Sequence, residues 1–116
     1  MARILIIEDD YYTREVLRDY LEKKGYRVVS TGEGTEGMTL HLKKPFDLII
    51  MDLFLPDTDA TEILLKLRQK SNPKIIAISD LFVHFETAKK MGAHRSFAMP
   101  IEVREVEKAA AELLRR

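Results

Sequence analysis

Asp47-Leu48-Ile49-Ile50-Met51-Asp52 is the stretch that decides the fold class of this chain. Four large apolar residues stand between two acids, and Leu53-Phe54-Leu55-Pro56 follow them. A short continuous aliphatic run is typical of a parallel strand that is buried on both faces. Asp52 is therefore predicted to lie where a buried strand reaches the surface, at its carboxyl end.

A second aliphatic run, at residues 4–7, ends in the same way, in Glu8-Asp9-Asp10. If the two strands are neighbours in a parallel sheet, their carboxylates converge at one edge. Such a cluster repels itself unless a cation or a proton relieves it. We therefore interpret these acids as a functional site rather than as a source of stability.

The rest of the chain alternates between short apolar runs and stretches with helical periodicity. Further runs lie at residues 28–29, 75–78 and 96–99. Helices are predicted at residues 11–23, at 34–43, before Ser71-Asn72-Pro73, near 84–91, and along the apolar stripe Val103, Val106, Ala110, Leu113 and Leu114. Five strand–helix units in succession predict an α/β fold, a doubly wound parallel sheet with helices on both faces. Ligand sites in such sheets lie at the carboxyl ends of strands, where these acids and Ser79 fall.

Local patterns predict the faces and ends of individual helices. One buried face of the first helix is predicted from four residues, Val16, Leu17, Tyr20 and Leu21. Gly25 is the expected stop of that helix. Asp59, with Glu62 three residues later, resembles a capping box at the start of the third helix.

The composition excludes several classes of protein. At 116 residues the chain is expected to be one domain, and 46% hydrophobic with 33% charged residues indicates a globular fold. Lys plus Arg equals Asp plus Glu at 19 each, so no bulk charge indicates direct binding of nucleic acid or membrane. Cysteine is absent, and no apolar stretch reaches a membrane span of roughly 20 residues. Without a signal-peptide pattern, the expected location is the cytoplasm.

Over its full length, residues 1–116, the chain resembles a response-regulator receiver domain, the CheY-like phosphoacceptor module of two-component signalling. The matching segments are residues 4–10, 47–56, 74–79, Met91-Gly92-Ala93 and Phe97-Ala98-Met99-Pro100. The resemblance implies one flavodoxin-like (βα)5 domain with strand order 2-1-3-4-5. It also implies a signalling domain rather than an enzyme that acts on a separate substrate.

The resemblance implies a role for each acid. Asp52 would be the nucleophile that accepts a phosphoryl group, giving an acyl phosphate. Asp9 and Asp52 would bind Mg²⁺ or another divalent cation directly, with Glu8 acting through water and the Phe54 backbone carbonyl as a further ligand. Asp10 is expected to cap the first helix instead.

The resemblance also implies a switch and partners. The Ser79 hydroxyl would bond to the phosphoryl group and Phe97 would change rotamer with it. The residues leave alternatives open, since Ser79 could equally cap a loop and Phe97 could equally be a core aromatic. A histidine kinase or phosphotransfer protein would supply the phosphoryl group. A downstream output domain or protein would bind the face of the fourth helix, fifth strand and fifth helix, and a homodimer is possible.

Three departures from the family pattern concern the readout of phosphorylation. Met99 stands where the family has a lysine before the proline, which removes a positive charge facing the phosphoryl group. Asp80 follows Ser79 where a small residue is usual. The segment from Ser79 to Gly92 is about two residues shorter than usual. These departures motivate a second hypothesis, a degenerate receiver that binds partners independently of phosphorylation.

Other residues and one other class were also considered. Phe82 and Phe85 are expected either in the core or in an exposed interaction patch. The three histidines, His41, His84 and His94, share no metal-ligand spacing and are predicted at the surface. A small metal-dependent phosphatase is a third class, but no obvious general acid stands near Asp52 and the chain leaves little room for a cap over a substrate.

Overall fold

The predicted aliphatic runs are the five strands of one parallel sheet. The structure, a computed structural model, describes residues 1–80, 83–90 and 92–115, without the side chains at 83 and 84. The strands are β1 (Arg3–Ile7), β2 (Arg27–Thr31), β3 (Leu48–Asp52), β4 (Lys74–Ser79) and β5 (Arg95–Ala98). Their spatial order is β2-β1-β3-β4-β5, which confirms the predicted fold class and strand order.

Five helices connect and flank the strands. They are α1 (Tyr11–Lys23), α2 (Gly34–Lys43), α3 (Ala60–Lys70), α4 (Val83–Lys90) and α5 (Val103–Leu114). Within the described residues, none of these helices has the length and apolar character needed to cross a membrane. The predictions for Phe82, for Met91 and for the side chain of His84 concern positions outside the described residues.

The sheet separates two hydrophobic cores, so β1, β3 and β4 are buried on both faces. On one face, α1 and α5 pack through Leu17, Leu21, Val106, Ala109 and Ala110. On the other face, α3 packs through Ile63, Leu64 and Leu67, and α2 adds Met38 and Leu40. This double burial explains why the strands read as continuous aliphatic runs rather than as alternating ones.

The local helix predictions are confirmed with two exceptions. Leu17 and Leu21 are fully buried, but the Val16 side chain is 37% exposed, so its predicted burial is wrong. One residue is a rotation of about 100° around a helix, which carries Val16 past the edge of the buried stripe. Gly25 ends α1 with a φ of +98°, a conformation that favours glycine. Asp59 caps α3 by accepting a bond from the Thr61 amide at 2.9 Å.

The second exception concerns the capping box. Glu62 Oε1 lies 3.9 Å from Lys66 Nζ, one turn further along α3, rather than completing the predicted box. Asp59 therefore caps the helix through its own carboxylate, and the predicted second half of the motif is wrong. The exposed pair of Glu62 and Lys66 is worth little to stability.

His41 corrects the prediction that the histidines lie at the surface. Its ring is 1% exposed, at the end of the sheet opposite to the acids. Nε2 lies 2.7 Å from Ser71 Oγ, and Nδ1 accepts a bond from the Phe46 amide at 3.1 Å. Both ring nitrogens are thus hydrogen-bonded, which offsets the loss of water around a buried polar group. His94 is exposed as predicted.

Candidate functional site

The register of β1 and β3 brings the predicted acids together. Ile7 and Met51 are paired across the two parallel strands, so the residues that follow them, Glu8 and Asp52, leave the sheet side by side. One carboxylate oxygen from each of Glu8, Asp9 and Asp52 lies within 4.8 Å of the others. The predicted convergence of these three acids is therefore confirmed.

Glu8 is the buried member of this acidic cluster. Its side chain is 1% exposed, and its amide donates to the Thr31 carbonyl at 3.0 Å, which extends the pairing of β1 with β2. Oε2 accepts a bond from the Asp10 amide at 3.0 Å. Oε1 is buried and finds no hydrogen-bond partner among the described residues. Such an orphaned oxygen is costly unless a ligand or a proton satisfies it.

Burial dominates the protonation of the cluster. It raises the pKa of Glu8 to about 8, against the opposing bond from the Asp10 amide and with added repulsion from Asp52 and Asp9. Burial also raises the pKa of Asp52 above its ordinary value, although the Phe54 amide opposes this by donating to Oδ1 at 2.8 Å. Both carboxylates therefore favour either a proton or a nearby cation.

The donor set fits a hard divalent cation. Three carboxylates supply oxygen ligands of the kind that Mg²⁺ and Ca²⁺ prefer, and one of these oxygens has no other partner among the described residues. A cation at this point would favour the ionised forms of Glu8 and Asp52, which burial and the neighbouring acids disfavour. Thiolate ligands are excluded because the chain has no cysteine.

The cluster opens into a cleft of about 450 Å³. Its lining residues are Glu8, Asp9, Asp10, Asp52, Phe54, Asp80 and Met99. Met99 and Asp80, singled out as departures from the family pattern, thus border the same space as Asp52. The Met99 amide donates to the Ser79 carbonyl at 3.0 Å, and the Met99–Pro100 peptide bond is cis. The cleft consequently has an apolar thioether and an additional acid on its wall.

Ser79 lies at the carboxyl end of β4, as predicted, and Phe97 is the third of the four residues of β5. Ser79 is 1% exposed at the end of β4, and Phe97 is half-buried against the core that α5 covers. Phe85, on α4, is half-buried, so its exposure lies between the core position and the exposed interaction patch that were the two alternatives. The roles of Ser79 and Phe97 as switch residues stay predictions.

The structure adds two residues that sequence reasoning missed. Arg14 reaches back from α1, and its Nη1 donates to the Glu8 carbonyl at 2.7 Å. Asp57 accepts bonds from the start of α2. An arginine one turn after Asp10 is a weak sequence signal for a contact with the end of β1. The partners of Asp57 lie more than 20 residues away along the chain, so no local pattern indicates its capping role.

Asp10 has the helix-capping role predicted for it. Its Oδ2 accepts a bond from the Thr13 amide at 2.8 Å, and the bonds from Thr13 lower the pKa of Asp10. Its carboxylate satisfies a free amide in the first turn of α1, which is what an N-cap residue does. Asp10 borders the cleft but is not one of the three clustered acids.

A parallel sheet of order 2-1-3-4-5, with three acids at the carboxyl ends of its first and third strands, defines the class of receiver domains. The family model described as "Response regulator receiver domain" matches residues 4–111 of this chain. The chain belongs to this family of response-regulator receiver domains, as predicted from its motifs.

Several curated proteins are similar to the chain. The transcriptional regulatory protein ResD of Bacillus subtilis is 31% identical over 120 residues, which cover 99% of this chain and 49% of ResD. Sporulation initiation phosphotransferase F of the same organism is 28% identical over 116 residues, covering 97% of this chain and 93% of that protein. The chain spans about half the length of relatives such as ResD.

Solved structures give the same assignment of fold. The receiver domain of the TMAO respiratory system response regulator TorR superposes with a TM-score of 0.92 at 28% sequence identity. The match covers 98% of this chain and 97% of the TorR domain. The order of the strands and the positions of the helices are therefore those of a receiver domain.

Proposed function

We propose that this domain accepts a phosphoryl group on Asp52, in the presence of Mg²⁺ or another divalent cation, from a histidine kinase or a phosphotransfer protein. The observation that carries the proposal is the convergence of Glu8, Asp9 and Asp52 within 4.8 Å at the mouth of an open cleft. The buried Oε1 of Glu8, which has no hydrogen-bond partner in the part of the chain that the structure describes, supports a cation there. Membership of the receiver family supports the choice of Asp52 as the acceptor.

The chemistry would be a displacement at phosphorus. A carboxylate oxygen of Asp52 donates an electron pair to form the new P–O bond. The P–N bond of the phosphohistidine breaks, and its electron pair returns to the imidazole nitrogen. Asp52 suits the role of nucleophile because one of its oxygens, Oδ1, is held by the Phe54 amide while the side chain borders the cleft.

A divalent cation would neutralise the charge that gathers as the phosphoryl group approaches three carboxylates. Asp9 and Asp52 would be its direct ligands, Glu8 would act through a water molecule, and the Phe54 backbone carbonyl would be a further ligand. Ser79, at the end of β4, would bond to a phosphoryl oxygen. The Phe97 side chain would change its rotamer when Ser79 forms this bond.

The test is chemical phosphorylation of the isolated chain. Incubation with a small phosphodonor and Mg²⁺ should add the mass of one phosphoryl group, and Asp52→Asn should abolish the addition. Asp47→Asn is the matched control, because Asp47 precedes the same strand at the opposite end, where it accepts a bond from the Arg3 amide. A wild-type protein that stays unmodified under forcing donor concentrations would count against the proposal.

A second candidate function is a degenerate receiver that binds partners independently of phosphorylation. Met99 and Asp80 on the wall of the cleft favour it, since neither offers a positive charge to a phosphoryl group. This candidate predicts that partner binding is indifferent to Asp52→Ala. A large change in partner affinity or oligomeric state on phosphorylation would exclude it.

The partners and location follow from the same proposal. The domain would act in the cytoplasm as a signalling module rather than as an enzyme on a separate substrate. Its output partner, either a further domain or another protein, would bind the face formed by α4, β5 and α5. Two further expectations belong to the proposal: the domain would form a homodimer, and it would not itself bind nucleic acid or membrane.

A further inference from the structure

Asp57 ties the loop after Asp52 to the start of α2. Its Oδ1 accepts a bond from the Gly34 amide at 2.9 Å, and Oδ2 accepts bonds from the Thr35 amide at 3.0 Å and the Thr35 hydroxyl at 2.8 Å. These bonds, the Thr35 amide first among them, lower the pKa of Asp57. Glu33, which precedes α2, makes no side-chain capping bond. The helix is therefore capped from a distant loop.

Close packing joins the same two segments a second time. A Cβ atom at Gly34 would lie 2.3 Å from Thr58 Cγ2 and 3.1 Å from Leu55 Cδ1, both in the loop, and 2.6 Å from Ile63 Cδ1 of α3. The backbone of α2 thus rests directly on the loop, with no space for a side chain. A shift of the loop would disturb both this contact and the cap.

The loop is also held at its other end, next to the acidic cluster. The Leu53 amide donates to the Ile78 carbonyl at 2.8 Å, and the Phe54 amide donates to Asp52 Oδ1 at 2.8 Å. Phe54 and Asp59 then pair as an antiparallel bridge, which closes the loop on itself. Asp57 lies within this closed loop, so its position depends on the position of Phe54.

We propose that Asp57 is a positioning residue that couples the cation site to the start of α2. The inference rests on the proposed function, because it takes Asp52 and the Phe54 carbonyl as cation ligands. A bound cation fixes the loop and so holds the Asp57 carboxylate against the amides of Gly34 and Thr35. A capped α2 in turn holds the loop in its cation-binding form. Such a coupling is reciprocal, with the same factor in both directions.

Amide hydrogen exchange at Gly34 and Thr35, with and without Mg²⁺, tests the coupling. In the wild-type chain, saturating Mg²⁺ should slow exchange at both amides by about fivefold. In Asp57→Ala the Mg²⁺ effect should disappear, and the Kd for Mg²⁺ should rise by the same factor. Asp57→Asn, which keeps one carbonyl acceptor, should lie between the two.

Thr39→Gly is the matched control for a role confined to helix stability. Thr39 is exposed on α2, one turn after Thr35, and its replacement weakens the helix without touching Asp57. This variant should exchange faster at Gly34 and Thr35 yet retain the slowing by Mg²⁺ and the wild-type Kd. A role of Asp57 in helix stability alone predicts that Asp57→Ala behaves in the same way.

The outcomes separate the two proposals. Wild-type and Asp57→Ala chains that bind Mg²⁺ equally, with no Mg²⁺ effect on the α2 amides, would overturn the coupling and leave the proposed function standing. A wild-type chain that binds neither Mg²⁺ nor Mn²⁺ and is not phosphorylated by a small donor would overturn both. Slowing by Mg²⁺ in the wild type and in Thr39→Gly, with its loss in Asp57→Ala, would establish the coupling.

Discussion

The guanidinium group of Arg14 donates to the backbone carbonyl of Glu8 at 2.7 Å, which joins α1 to the end of β1 beneath the acidic cluster. A Cβ atom at Gly32 would lie 2.9 Å from the same Nη1, so a side chain there would displace the guanidinium group. Arg14 also lies over the Tyr11 ring, with 5.4 Å between the guanidinium carbon and the ring centroid. Arg14 therefore supports the backbone that presents Glu8 and Asp9, while its own guanidinium lies between Gly32 and the Tyr11 ring.

Replacing Arg14 with alanine should weaken both folding and cation binding. The loss of a charged hydrogen bond to the Glu8 carbonyl should lower the free energy of unfolding by about 1–3 kcal/mol. The Kd for Mg²⁺ should rise, because the backbone that holds Glu8 and Asp9 loses its support. Urea unfolding and calorimetric titration with Mg²⁺ measure the two effects. Arg18→Ala, which breaks only the partly exposed pairs with Glu15 and Glu22 along α1, should change both by little.

Without divalent cations, the stability of the chain should fall as the pH rises from about 4.5 to about 8. The pKa of Glu8 is raised from 4.5 to about 8, so the folded state retains a proton that the unfolded state has lost. The loss should be on the order of a few kcal/mol and should be nearly absent in Glu8→Gln. Urea unfolding in the presence of a chelator, at several pH values, measures it. Equal pH slopes for both chains would contradict the prediction.

Saturating Mg²⁺ provides a second arm of the same experiment. If the cation occupies the cluster, it favours the ionised form of Glu8 and should remove the loss of stability at high pH. Glu22→Gln is the control for the substitution itself, since Glu22 is exposed on α1. That variant should follow the wild type with and without the cation.

Acid should destabilise the chain through His41. Burial lowers the pKa of His41, so below about pH 6.5 the unfolded state binds a proton that the folded state resists. Stability from this group is present above that pH and is lost as the pH falls through the lowered pKa. A proton on Nδ1 would also face the Phe46 amide, which now donates to it. Because protonation of Glu8 acts in the opposite direction and equally in both chains, the effect is read as a difference: between pH 7.5 and pH 5 the wild type should lose about 1–3 kcal/mol more of its free energy of unfolding than His41→Asn.

His41→Asn separates this effect from general acid unfolding. The variant should be less stable than the wild type at pH 7.5, because the bonds to Ser71 and Phe46 are disturbed. Its additional loss between pH 7.5 and pH 5 should be smaller than that of the wild type. An undiminished loss in His41→Asn would assign the acid sensitivity to other groups.

Met99→Lys should place a positive charge at the cleft. The ammonium group would favour the ionised forms of Asp52 and Glu8, which lowers their pKa values and raises stability without cations at neutral pH. It should also speed phosphorylation by a small donor, since the charge would face the incoming phosphoryl group. Met99→Gln, which adds no charge, is the control, and a similar rate for both variants would show that the charge is not the cause.

The sequence predicted the sheet because each central strand is a run of aliphatic residues between turn or helix signals. That pattern also located the acids, since Glu8 and Asp52 directly follow such runs. The pairing of Ile7 with Met51 then brought these acids together, as expected for neighbouring parallel strands. The helix ends at Gly25 and Asp59 followed from backbone requirements that act within a few residues.

Predictions from the sequence were wrong where the burial of a residue depends on partners far along the chain. No local pattern in the sequence indicates that His41 is buried, because its partners Ser71 and Phe46 contact it only when α2 packs against the end of the sheet. The prediction that Val16 is buried was also wrong. An apolar residue at the edge of a helical stripe stays exposed when the sheet covers only Leu17 and Leu21.

By itself, the sequence determined the order of strands and helices and the placement of three acids at strand ends, because hydrophobic periodicity and turn chemistry are local. The tertiary structure alone decided the burial of Glu8, the contact of Arg14 with the Glu8 carbonyl and the capping of α2 by Asp57. Burial and long-range hydrogen bonds depend on which surfaces the packed sheet and helices bring together. The burial of Glu8 raises its pKa, and the bonds of Asp57 to Gly34 and Thr35 hold the loop after Asp52 against α2.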